Sequence, residues 1–237
     1  MKSQRLDKII SSQFNLSRKD ARRDVKIGRV TVDGRVIKDF GYQADPENQT
    51  IEYMGQALSY KSHVYLVMNK PKGVISASND KNRETVVDLV PEELKRHGLF
   101  PVGRLDRDTT GLLLITDDGD FAHSLMSPKK EITKTYLAEL DGNVTEEMCK
   151  MFSDGIVLAD GTRCRKAELK VAGECKAEIK ISEGKYHQIK RMFGVVGLGV
   201  NELKRIAIGN FFLPQNLPEG GCLELTEVQI DELFTVC

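Results

Sequence analysis

Between Pro101 and Asp118 the chain reads Pro-Val-Gly-Arg104-Leu-Asp106-Arg107-Asp108-Thr-Thr-Gly111-Leu-Leu-Leu-Ile-Thr-Asp-Asp118, a charged stretch leading into an apolar run. The pattern predicts a strand ending at Gly103, a loop, and a buried strand from Gly111. Loops between buried strands are where reacting side chains tend to sit. Asp106 and Asp108 offer two carboxylates, but an i, i+2 spacing in a loop fixes no separation, so paired-acid glycoside hydrolysis is unsupported. Asp117, Asp118 and Asp120 imitate a calcium loop without its spacing or terminal Glu. Local sequence alone equally allows a structural salt bridge such as Arg104–Asp106. Other chemistries lack their residues. There is no P-loop, and Gly194-Val-Val-Gly197-Leu-Gly199 has the wrong order for a dinucleotide fingerprint. The histidines at 63, 97, 123 and 187 are scattered, with no H-E-x-x-H. The cysteines at 149, 164, 175, 222 and 237 are odd in number and form no C-x-x-C, so neither a disulfide framework nor a metal site is expected. They read as small buried hydrophobes.

The chain that must position this loop has 237 residues, 40% hydrophobic and 30% charged, which suits a globular protein of one or two domains. No apolar run approaches the roughly 18 residues of a membrane span, and residues 1–20 lack a signal peptide's apolar segment, so a cytoplasmic protein is expected. From residue 63 onward the pattern predicts strands at 63–69, 99–103, 111–116, 133–140, 175–182 and 201–208. Helices are predicted at 91–96, 119–126, 145–153, 186–194 and 226–234, the last with Thr226 and Gln229 as a capping box. Tyr136-Leu-Ala-Glu-Leu140 and Ala177-Glu-Ile-Lys-Ile181 alternate, as in an antiparallel or mixed sheet with one open face. The class is α+β (mixed α/β), a mixed, largely antiparallel sheet flanked by helices.

Net charge is zero, yet unevenly distributed. Residues 1–40 hold eleven Lys and Arg against five Asp, a net of +6, and the remainder carries −6. Such asymmetry suggests a basic module on a larger body. Leu6, Ile9 and Ile10 recur at helical spacing, and Ser17-Arg-Lys-Asp20 starts a second, basic helix stopped by Gly28. Val30-Thr-Val32 and Arg35-Val36-Ile37 flank Asp33-Gly34, a type I′ hairpin turn, and Thr50–Tyr53 supplies a further strand. A basic helix beside a hairpin offers a surface for phosphates, held by charge rather than base readout. The order of elements, with Leu6-Asp7-Lys8, Ser17-Arg18 and the Gly28-Arg-Val30-Thr-Val32-Asp-Gly34 run, resembles the S-four RNA-binding domain (the αL motif). The resemblance implies RNA contacts from Arg5, Lys8, Arg18, Lys19, Arg22, Arg23, Lys26 and Arg29. The domains are then 1–58, a linker at 59–62, and 63–237.

The larger domain resembles the RsuA-type pseudouridine synthases. Gly103-Arg-Leu-Asp106-x-Asp-Thr-Thr-Gly111 is similar to their motif I, and Lys134-Thr-Tyr136-Leu to motif II. Glu183-Gly-Lys185-Tyr-His-Gln-Ile-Lys-Arg-Met192, with Leu203-Lys-Arg205 downstream, is similar to motif III and its extension. Lys70-Pro-Lys-Gly73-Val opens the domain as in that branch. The resemblance implies isomerisation of a uridine in small-subunit rRNA, at the family's uridine-516 site. No cofactor or metal is implied, because nothing is oxidised or hydrolysed. The target base must be flipped out of its stack, at a cost of a few kcal/mol. Asp106 is the implied essential carboxylate, expected to be buried and therefore to need a cation, Lys185. Tyr136 is implied to stack on the flipped uracil, Arg104 to fill the gap it leaves, Leu203 to line the pocket and Arg205 to hold phosphate, while His187 is read as structural. The partner expected is small-subunit rRNA, free or in a pre-assembled particle, and the chain is expected to act as a monomer. Two readings compete: the related branch acting on large-subunit rRNA, and a non-catalytic RNA-binding assembly factor.

Overall fold

The computed structural model describes residues 3–235, so Lys2 and Cys237, counted above, lie outside the described residues. The chain forms two compact units, one from residues up to Val64 together with Pro91–Leu99, the other from Tyr65–Val90 and the residues from Phe100 onward. The first contains β1 (Gln4–Arg5), α1 (Leu6–Gln13), α2 (Arg18–Lys26), β2 (Val30–Val32), β3 (Arg35–Val36), β4 (Gln43–Ala44), β5 (Ile51–Tyr53) and β6 (Gln56–Ala57). Strands β3-β2-β5-β6 form one sheet, and β1 pairs with β4. The local signals act as predicted. The Ser17 hydroxyl accepts the Asp20 N–H at 3.1 Å, capping α2. Asp33 and Gly34 both have positive φ, 50° and 75°, the geometry of the type I′ turn joining β2 to β3. Leu6, Ile9, Ile10, Ala21, Val25 and Ile51 close the core between helices and sheet.

The second unit contains β7 (Tyr65–Lys70), β8 (Phe100–Val102), β9 (Thr110–Thr116), α3 (Gly119–Met126), β10 (Lys134–Leu140), α4 (Glu146–Asp154), β11 (Glu168–Gly173), β12 (Lys176–Ile181), α5 (Gln188–Val195), β13 (Val200–Ile208), β14 (Phe211–Phe212), β15 (Cys222–Glu224) and α6 (Glu227–Leu233). The sheet runs β11-β12-β10-β13-β9-β7-β15, with β14 beside β13 and β8 beside β9. Among the described residues, only β9 and β13 pair in parallel in this sheet, so it is mixed and largely antiparallel, as expected. All seven residues of β9 are buried, which accounts for its unbroken apolar run. Leu112 and Leu114 pack with Leu125, Ile208, Phe211 and Leu233. The capping box of α6 forms, the Thr226 side chain accepting the Gln229 N–H while Gln229 accepts the Thr226 N–H.

Six strands escaped the sequence reading: β1, β4 and β6 of the first unit, each only two residues long, and β11, β14 and β15 of the second. The alternation of β11 is nearly all exposed, while β14 and β15 are too short to show a period. The predicted helix at 91–96 is a single 3-10 turn, Glu92–Leu94, and it groups with the first unit, where Arg96 Nε donates to the Ser12 carbonyl at 3.1 Å. Among the described residues no helix is long and apolar enough to cross a membrane.

Candidate active site

The loop from Gly103 to Thr109 leads into the most buried strand and is held from beneath by the end of β7. The Thr109 N–H donates to the Asp106 carbonyl at 3.1 Å, closing a turn around the charged residues. Lys70 is fully buried below it, its Nζ donating to the carbonyls of Thr109 and Pro71 at 3.0 Å and of Arg107 at 3.4 Å. Burial pulls the Lys70 ammonium down to about 8, against the pull of Asp108 and Asp106 in the opposite direction. The Gly73 N–H donates to the Arg107 carbonyl and Arg107 Nε to the Gly73 carbonyl, both at 2.9 Å. The Ser76 hydroxyl donates to the Leu105 carbonyl and accepts the Leu105 N–H. The Lys70–Ser76 stretch is thus a cradle that fixes the backbone on both sides of Asp106.

Asp106 itself is half-buried, its side chain 31% exposed, rather than sealed in the interior as expected. The groups that face it are also not the expected one. His187 Nε2 lies 3.6 Å from one carboxylate oxygen and Lys190 Nζ 4.0 Å from the other. Lys190 bonds both oxygens of Asp108 at 2.6 Å, which holds that carboxyl below its usual range despite partial burial. Lys185 instead binds Glu183. Glu183 sits two residues back on the same turn; Gln188 Nε2 donates to it at 2.9 Å while Gln188 Oε1 accepts the Lys185 N–H at 2.9 Å, so the ammonium is engaged locally. His187 reaches Asp106 because it adopts a left-handed φ of 48° at the start of α5, with its ring stacked on Tyr186 at 3.9 Å. Arg104 is exposed and, among the described residues, forms no ion pair with Asp106.

The neighbouring strands bring up the remaining residues. Tyr136 in β10 lies opposite Arg205 in β13, which lies opposite Gly111 in β9. Both side chains are buried, and the Arg205 guanidinium stands 6.0 Å from the centre of the Tyr136 ring. Arg205 Nε donates to the Leu112 carbonyl at 2.7 Å, and its buried Nη2 has no hydrogen-bond partner among the described residues. The Arg205 guanidinium is enclosed, so it is not presented to a backbone phosphate as expected. Leu203, also buried, lies two residues earlier on the same strand and therefore on the same face. A Cβ at Gly111 would fall 2.2 Å from the Arg205 carbonyl oxygen, so only glycine lets β9 approach β13 there.

Residues 64–194 match the family model described as RNA pseudouridylate synthase, and residues 4–49 match the S4 domain. The chain belongs to the RNA pseudouridine synthase family. It is 41% identical over 230 residues to an uncharacterised RNA pseudouridine synthase of Bacillus subtilis, covering 95% of this chain and 96% of that protein. It is 40% identical over 228 residues to the ribosomal small subunit pseudouridine synthase A of Salmonella typhimurium, covering 95% of this chain and 98% of the relative. A crystal structure of a pseudouridylate synthase superposes with a TM-score of 0.69 at 34% identity, covering 98% of this chain and all of the other.

Within this pseudouridine synthase, sequence reasoning assigned no site role to Lys70, Lys134 or Lys190 and read His187 as structural. Lys70 and Lys190 differ from ordinary surface lysines only by where the fold puts them. The proximity of His187 follows from one backbone dihedral. Lys134 is buried two residues before Tyr136, donates to the Ile132 carbonyl at 3.0 Å, and is brought down to about 8 by burial and by Arg205. Its place in Lys134-Thr-Tyr136 was the available signal. Among the described residues no group of His, Cys, Asp and Glu is arranged to hold a metal ion. In the S4 domain, Arg18, Lys19, Arg22, Arg23 and Lys26 line one hollow along α2 with Ile27, while Arg5 and Arg29 lean on acidic neighbours and Lys8 is exposed.

Proposed function

We propose that this enzyme converts one uridine of small-subunit rRNA, the uridine-516 site, to pseudouridine, with Asp106 as the essential carboxylate. The N1–C1′ bond breaks, the uracil turns in place, and a C5–C1′ bond forms; the C5 proton passes to solvent and N1 ends protonated. The observation that carries this reading is Asp106 itself: fixed by the Lys70–Ser76 cradle, flanked by His187 and Lys190, and still open to an incoming nucleotide. A binding protein gains nothing from a carboxylate presented to RNA phosphates, which it repels. The small-subunit substrate is supported by the curated relatives named for it. Tyr136 stacks on the flipped uracil, a contribution of about 1–3 kcal/mol. Arg104, which is exposed, fills the space the base vacates, as a flat guanidinium can. Leu203 and Arg205 wall the pocket, and Lys185 braces Glu183 at the start of α5. The S4 domain holds the RNA through its cationic face.

The test is tritium release from RNA labelled at uracil C5, with small-subunit and large-subunit rRNA offered separately, each free and with assembly proteins. Wild type is expected to release tritium from small-subunit RNA, and Asp106→Asn from neither. Turnover by Asp106→Asn removes the carboxylate from the mechanism. Release from large-subunit RNA alone keeps the enzyme and overturns the substrate, and tight binding with no release points to an assembly factor.

A further inference from the structure

Two carboxylates are sunk into the cationic face of the S4 domain. Asp7, near the start of α1, is fully buried, yet three guanidinium groups reach it. Arg5 donates from Nε at 3.1 Å and Nη2 at 3.2 Å, Arg18 from Nη2 at 3.1 Å, and Arg22 from Nε at 2.8 Å. Burial alone pushes the Asp7 carboxyl up, but these bonds outweigh it and hold the group at about 2. One guanidinium would suffice to balance one carboxylate. Three leave the cluster with two surplus positive charges, and each arginine remains 43–47% exposed.

The outward edges are not slack. The Phe40 ring lies beneath the Arg5 and Arg22 guanidinium groups at 5.6 and 5.4 Å, and beneath the Lys26 ammonium at 5.3 Å. Asp7 thus draws in the inner N–H edges, Phe40 supports the planes, and each guanidinium keeps donors turned to solvent. Asp24 repeats the device on the other flank of α2: buried, it accepts from Arg29 at 3.1 Å, Arg23 at 3.4 Å and the Tyr53 hydroxyl at 2.5 Å.

We propose that Asp7 is a positioning residue for RNA: it sets Arg5, Arg18 and Arg22 as a fixed fan of guanidinium forks that receives the phosphodiester backbone of a strand lying across the α2 hollow. This rests on the RNA-binding reading of the S4 domain and adds to it a requirement for geometry. A guanidinium fork fits a phosphate by two parallel bonds only when its plane is held, and a pre-set fan loses little side-chain entropy on binding.

Charge and geometry predict opposite signs. Replacing Asp7 by Asn adds one net positive charge to the surface, so a purely Coulombic face binds RNA more tightly, with a steeper salt dependence. A face that depends on the fan binds more weakly despite that charge. The experiment measures binding of the full chain to deproteinised small-subunit and large-subunit rRNA across a KCl series. Asp7→Asn is expected to bind about tenfold more weakly, with a salt slope lower by about 1–2. Arg22→Lys keeps the charge and loses the fork, and is expected to bind about threefold to tenfold more weakly. A partly unfolded sample lowers the bound fraction without changing the slope, which separates this outcome from mere damage. Where circular dichroism shows that Asp7→Asn has lost its fold, Arg22→Lys and Arg18→Lys decide. Equal or tighter binding by the folded variants overturns the inference alone. Failure of wild type to bind either RNA overturns it together with the RNA-binding reading.

Discussion

Replacing Gly111 by alanine tests whether the contact between β9 and β13 organises the site. The added Cβ meets the Arg205 carbonyl oxygen at 2.2 Å and its amide nitrogen at 2.9 Å, and Gly111 has a φ of +97°. A left-handed φ costs a non-glycine residue about 1–2 kcal/mol. The overlap adds about 1–3 kcal/mol, because the obstructing atoms belong to a paired backbone that no rotamer change can move. The expected loss is therefore about 2–5 kcal/mol. Gly103→Ala is the internal control. Its φ is also positive, +76°, but its Cβ meets only the Sδ and Cε of Met126, the end of a flexible side chain. It should lose only about 1–2 kcal/mol. Urea denaturation of the two variants, with m unchanged, gives the difference directly. Gly111→Ala should also lose turnover beyond what its folded fraction explains, since relief of the overlap shifts Arg205 behind Tyr136. Two variants of equal stability and activity would refute the claim that this contact sets the pocket.

Other outcomes follow from the groups around the loop. Lys190→Met is expected to reduce turnover by about tenfold or more, as the loss of one charge-assisted contact beside Asp106, and to exceed the effect of Lys185→Met; single-turnover tritium release under saturating RNA ranks the two, and the reverse order would restore Lys185 as the cation for Asp106. Lys70 and Lys134 both lie near pKa 8 in the fold against about 10.4 unfolded, so between these values the unfolded chain binds more protons than the native one. Stability should therefore rise with pH above about 8, by at most about 2.7 kcal/mol per pH unit for the pair. Cys222, pushed up to about 12 by burial, works the other way from about pH 9, where an unfolded thiol has lost its proton. Urea midpoints measured between pH 7.5 and 9 should increase, and a flat or falling profile would show that both lysines keep ordinary values.

What could be read from the sequence was what local pattern controls. Six strands of the larger unit were placed within about two residues because each shows an apolar run or alternation long enough to count. The turn at Asp33-Gly34 and the caps at Ser17 and Thr226 depend on two to four adjacent residues, and all three form as expected. The surroundings of Asp106 were misjudged for the complementary reason. Spacing in motif III suggested Lys185, but the competition is settled by Glu183 at short range and by the left-handed His187, which turns α5 so that Lys190 points back at the loop. Burial of Lys70 and Lys134 is decided by strands far apart in sequence, so composition alone counts them as surface charge. Asp7 was likewise counted as an opposing charge within a basic segment, when its surroundings depend on three arginines converging from α2 and from the strand before α1.

The grouping of Pro91–Leu99 with the first unit has a consequence for synthesis of the chain. The polypeptide leaves that unit after Val64 and re-enters it for nine residues before Phe100. On a translating ribosome adding about 5–20 residues per second, the S4 domain can form its helices early but cannot finish until Leu99 has left the exit tunnel. By then β7 has emerged, without the β9 and β15 strands it pairs with. A gene cut at residue 62 would therefore yield an S4 fragment missing part of its own packing and a catalytic fragment carrying a segment with nothing to fold against.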